Sequence, residues 1–209
     1  MKKLAIVGMA AGFEKAPWRK PGWECWTLNS AWKRFENEGL MEMDEHTGLA
    51  RYPVNLTAWF ELHSRRYLTE EWHGSMQHFR MLARLRCPIY VQHPKDWPHW
   101  QNPQSFPRAA IVRQFARGDY HASSLDWMLA FAVFQGYTHV EMFGVNLAPN
   151  EGQEPMSGRA ALEYWIGFAE GRGVKVTVHE PTGVFWIYNV TKEKTPYHYD
   201  DTWRLIEKR

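Results

Sequence analysis

The sequence predicts an α/β protein, a mostly parallel, twisted sheet with helices on both faces. Three observations predict it. Short apolar runs recur along the 209 residues, stretches with apolar residues every three to four positions alternate with them, and each run stops at a Gly, Asn or His. The length suits one large domain over residues 1–190, followed by a charged tail over 191–209 that lies on the surface.

The elements follow in order. Residues 4–7 form a first strand, and the small residues 8–12 turn the chain after it. Residues 24–28 form a second strand that ends at Asn29-Ser30. Residues 36–51 show neither hydrophobic period and read as an exposed insertion. Residues 57–62 form a third strand ending at His63. A helix is predicted over 69–84, capped by Thr69, with Glu70 and Glu71 at its positive end and Trp72, Met76, Phe79 and Leu82 facing the core. A fourth strand covers 88–92. Four prolines make 93–107 a long surface loop. A short helix over 109–117 carries Arg113 and Arg117. A buried helix spans 125–135, capped by Ser123 or Ser124 and closed by Gly136. A strand over 139–143, a helix over 159–171 and a strand over 174–178 complete the pattern.

Composition narrows the function. The formal net charge is +2, too small for a protein held to nucleic acid mainly by electrostatics. Cys25 and Cys87 lie in apolar runs and read as reduced thiols, which fits a cytoplasmic protein. The apolar opening is short, broken by two glycines and followed by Glu14, Lys15 and Pro17, so it reads as a strand and not a signal peptide. No segment is long enough to cross a membrane. The 12 Trp are an excess, and several sit beside Pro or His, where they either pack long loops or stack on a ligand.

In a parallel sheet the ligand sits beyond the carboxyl ends of the strands, where the strand order reverses. The turn from Gly8 to Gly12 lets backbone N–H groups approach a phosphate or sugar, and is equally a plain tight turn. Asn29 offers a donor and an acceptor to a base or ribose, or caps a helix. Two serines at a helix start combine hydroxyls with the positive end of the dipole. One is explained as a cap, and the other is left for a ligand.

The segment Tyr120-His121-Ala122-Ser123-Ser124, a helix, Gly136-Tyr137, a strand and Gly144-Val145-Asn146 carries a resemblance. It is similar to the motif shared by bacterial sialyltransferases of the Campylobacter type and the 6-hydroxymethylpterin diphosphokinase-like group. With Phe60-Glu61-Leu62-His63 and Arg159 before Glu163-Tyr164, the chain also resembles small phage proteins. The resemblance implies a Rossmann-like domain in which Gly8, Asn29, Ser123 and Ser124 contact the nucleotide. Asn146 stands where the group usually has Asp, which removes a charge from ribose or metal recognition. The sialyltransferases place a catalytic His before the last helix, whereas residues 153–159 here contain none, so another base is needed.

Candidates for that base are Glu61, His63, His121 and Glu154. Glu61 and His63 are two apart and point the same way if the strand continues, as a general base and its orienter or as ligands of a divalent ion. Arg159 can neutralise a phosphate. His73, His78, His93 and His99 lack metal-ligand spacing, so no structural zinc site is expected.

The function expected is a nucleotide-dependent transferase, foremost a glycosyltransferase using a nucleotide-sugar donor. The phage likeness implies a hydroxymethylated DNA base as acceptor, with Arg108, Arg113 and Arg117 on phosphates and Trp97, Trp100 and Phe106 as flat faces. Diphosphate transfer from ATP to a small alcohol, and a non-catalytic nucleotide binder, are the alternatives.

Overall fold

The computed structural model describes residues 2–44, 46, 50–68, 76–147, 153–180 and 182–185. Among the described residues, seven strands form one sheet: β1 (Lys3–Val7), β2 (Trp23–Leu28), β5 (Leu56–Glu61), β6 (Ile89–Val91), β7 (Pro103–Ser105), β8 (His139–Phe143) and β9 (Lys175–Val178). Their order is β7-β6-β5-β2-β1-β8-β9, and every pairing in it is parallel. Two further strands, β3 (Glu42–Met43) and β4 (Ala50–Arg51), make a small antiparallel pair. The helices are α1 (Trp32–Asn37), α2 (Met76–Ala83), α3 (Arg108–Gln114), α4 (Ser124–Phe134) and α5 (Gln153–Gly171). Among the described residues, no helix is long and apolar enough to cross a membrane.

Strand alternation sorts the apolar side chains into two cores. Leu4 and Ile6 of β1 join Trp26, Phe60 and the buried faces of α3, α4 and α5 on one side. Ala5 and Val7 join Phe13, Trp32, Phe35, Trp59 and α2 on the other. A central strand covered on both faces therefore reads as a continuous apolar run, as β1 does.

Several expectations need correction. Residues 36–51 are not a bare insertion, because they carry the end of α1 and the β3–β4 pair. The loop over 93–107 contains β7, which pairs with β6 at the edge of the sheet. Proline is tolerated at the first residue of an edge strand, and Pro103 occupies that place. Trp97, Trp100 and Phe106 are 7%, 6% and 9% exposed, so they are mostly buried in the two cores, with Trp97 and Trp100 also in the wall of a surface groove. In α2 Phe79 and Leu82 face the core as expected, together with the buried His78 and Met81, while Met76 is 63% exposed. Thr69, Glu70, Glu71 and Trp72, like the tail over 191–209, lie outside the described residues.

The order reverses at β1: the chain runs outward through β2, β5, β6 and β7, then returns to β8 on the other side. There the loops after β1 and β8 close on each other. The Gly8 N–H donates to Phe143 O at 2.8 Å, and the Ala10 N–H to Gly144 O at 2.9 Å. A Cβ on Gly8 would lie 2.4 Å from Gly144 O, and Gly144 itself has φ +60. Both glycines are required by this contact.

Candidate functional site

With the β1 and β8 loops in mutual contact, the open cleft of about 900 Å³ lies beside them, between the carboxyl ends of β2 and β5 and the start of α4. Asn29, His63, Tyr67, His121, Ser123, Ser124, Trp127 and Gly158 are in its walls. The structure thus brings together five of the residues singled out from sequence: Asn29, His63, His121, Ser123 and Ser124. Gly8 and Gly12 are buried in loop packing outside its lining, as is the half-buried Asn146, although Leu147 lines the cleft. Arg113 is exposed on α3 and is not in the lining. Arg159 follows Gly158 on α5 and lies 3.6 Å from Glu163. The side chain of Glu154 lies outside the described residues.

Glu61 ends β5 and is fully buried, without the solvent that usually satisfies a carboxylate. Two imidazoles serve instead: His63 Nδ1 is 2.6 Å from Oε1, and His78 Nε2 is 2.9 Å from Oε2. Trp32 Nε1 donates to His78 Nδ1 at 3.1 Å. An indole can only donate, so His78 Nδ1 is an acceptor and its proton sits on Nε2, toward Glu61. Burial pushes the Glu61 carboxyl up, but the hydrogen bonds from His63 and His78 outweigh it and hold the group below its usual 4.5. The ionised carboxylate accepts from Nδ1–H of His63, which makes Nε2 the basic nitrogen of that ring. His63 is 34% exposed at the cleft and stacks on Tyr67 at 4.9 Å. Each Glu61 oxygen accepts from one imidazole.

Asn29 follows β2 with φ 48, a left-handed conformation that Asn tolerates better than most residues. Its N–H donates to Phe60 O at 2.9 Å and its carbonyl accepts from Trp59 Nε1 at 3.1 Å. It does not cap α1, whose N-cap is Ala31. Its Oδ1 is buried without a hydrogen-bond partner among the described residues.

At α4, Ser123 is the N-cap and forms a reciprocal box with Asp126. Asp126 Oδ2 accepts from the N–H of Ser123 at 2.7 Å, the N–H of Ala122 at 3.1 Å and Ser123 Oγ at 2.9 Å. Its Oδ1 lies 2.6 Å from His121 Nδ1. The spacing Ser123-Ser124-Leu125-Asp126 is itself a capping-box signature, so Asp126 was readable from sequence. His78 had a weaker signal, the helical spacing it shares with Met81, Leu82 and Leu85, which marks its face but not its partner Glu61. Trp32 carried no such signal.

The thiols supply no nucleophile here: burial, aided by Glu24, pushes Cys25 up to about 12, and burial does the same to Cys87.

No family model matches the sequence, and no curated protein matches it. Solved structures do. The sialyltransferase CstII from Campylobacter jejuni in complex with cytidine-5'-monophosphate is similar at 13% identity and a TM-score of 0.49, over 85% of this chain and 79% of that one. The same enzyme with the substrate analogue CMP-3FNeuAc is similar at 14% identity and 0.48, over 85% and 80%. The apo alpha-2,3-sialyltransferase from Campylobacter jejuni is similar at 13% identity and 0.45, over 85% and 75%.

Proposed function

We propose that this protein is a glycosyltransferase that binds a nucleotide-sugar in the cleft and transfers the sugar to an acceptor hydroxyl deprotonated by His63. The observation that carries this reading is the His63 ring held by buried Glu61 at the wall of a cleft that also contains the α4 start. A carboxylate that holds Nδ1–H orients the ring and raises the basicity of Nε2, which is what a general base for a hydroxyl requires. Asn29 Oδ1 and the Ser124 hydroxyl supply polar contacts for the nucleotide. In this reading residues 1–190 are the nucleotide-sugar-binding domain. A protein that only sequesters a nucleotide needs no oriented base, so the Glu61–His63 pair favours catalysis.

Thermal shifts with CMP-, UDP-, GDP- and ADP-linked sugars, with ATP alongside, test the donor, since a tight ligand stabilises by mass action. One nucleotide-sugar class should raise the midpoint by several degrees. Transfer is then assayed on acceptors that include sugars and hydroxymethylated DNA. His63→Ala should lower turnover by about a hundredfold or more with donor affinity unchanged. A shift with ATP alone would favour diphosphate transfer, and unchanged turnover in His63→Ala would remove His63 as the base.

A further inference from the structure

A second carboxylate–imidazole pair stands on the α4 side of the cleft. The His121 side chain is only 2% exposed, although it contributes to the cleft wall. Its two ring faces are covered by indoles, Trp127 at 3.3 Å and 11° and Trp165 at 4.8 Å and 16°. Only the ring edge remains for polar contact. One end of that edge is fixed, because Asp126 accepts from Nδ1 while its other oxygen takes three donors from residues 122 and 123. The other end, Nε2, is buried with no hydrogen-bond partner among the described residues. A buried polar atom in that condition calls for a ligand or a water.

We propose that His121 Nε2 is the contact for a phosphate oxygen of the ligand, which rests on the reading of the cleft as a nucleotide-sugar site. The surroundings favour an anion. Ser124 opens α4 beside it, and the first-turn N–H groups present the positive end of the helix. The Arg108 guanidinium lies over the Trp127 ring at 5.6 Å. Facing a phosphate oxygen, the ring carries a proton on each nitrogen, one shared with Asp126 and one with the ligand. Asp126 balances its charge, and the flanking indoles suit a cation. The assignment also orients the donor, with its phosphate on the α4 side and the acceptor hydroxyl at His63 on the β5 side.

The test is nitrogen-15 NMR of the full chain with labelled histidine. It is titrated with inorganic pyrophosphate, with CMP, UMP, GMP and AMP, and with the four matching nucleosides. His121→Phe, which keeps the stacked ring, assigns the signal. The His121 Nε2 resonance should move with the phosphate-bearing probes that bind and not with nucleosides. The His121→Phe variant should bind those probes about tenfold or more weakly. Should that variant not fold, the titration of the unaltered chain decides. Nucleotide binding with the Nε2 resonance unmoved overturns this assignment and leaves the transferase reading standing. A moved resonance without sugar transfer to any acceptor supports the assignment and removes the transferase reading. No binding by any phosphate-bearing probe overturns the assignment.

Discussion

Glu61 is a carboxylate with no solvent contact, kept ionised by two imidazoles that reach it from different parts of the chain. Its folded pKa is lowered, so the sign of its contribution to stability follows. The stabilisation is full above the unfolded value near 4.5 and is lost as the pH falls through the lower folded value. Urea unfolding of the wild type and Glu61→Gln from pH 3 to 8 should show a stability gap that is constant above about pH 5 and narrows below it. A gap that stays constant down to pH 3 would contradict the ionised, doubly bonded carboxylate. The Glu61–His63 pair was legible in the sequence because residues two apart at a strand end share a side. The rest of the network was not. His78 is 17 residues from Glu61 and Trp32 is 46 from His78, and only the packing of α1 and α2 against β5 joins them.

At the level of single elements, α4 assigns its two serines different work. Both line the cleft, but Ser123 also caps the helix and binds Asp126. Ser123→Ala should cost about 1 kcal/mol of stability. Ser124→Ala should stay within about 0.5 kcal/mol of wild type yet weaken donor binding about tenfold. Paired denaturation and binding measurements check this, and the reverse pattern would exchange the roles. This helix was legible almost residue for residue, since its apolar length and its cap agree. Elements with weak local signals were not. β3, β4 and β7 are two or three residues long, too short to show a period, and they exist because a neighbouring strand offers them a ladder. The face of α2 was legible at Phe79 and Leu82, whereas Met76 is exposed and the buried His78 was overlooked.

Across the whole molecule, the expected strand alternation produced a sheet that is parallel throughout its seven strands. The place where ligands usually enter such a sheet could not be checked by pattern, because the Gly8–Gly144 contact is made between loops far apart in sequence. Gly8→Ala should destabilise by about 1–3 kcal/mol, since the added methyl meets backbone that cannot swing away. Gly144→Ala should cost at least as much, because φ +60 adds strain. Equilibrium denaturation measures both, and a neutral Gly8→Ala would mean that these loops stand apart and that the switch point is itself available to a ligand. The strand order also has a consequence for the route by which the protein folds. Pairing β1 with β2 closes a loop of only residues 8–22, and each step out to β7 adds one neighbour. Pairing β1 with β8 must instead join residue 7 to residue 139 around everything between, a far larger loss of chain entropy. The half of the sheet that carries Asn29 and His63 is therefore favoured to assemble before the half that carries β8. The α4 side of the cleft comes into place with that return, so the cleft is completed late in the folding of each newly made chain.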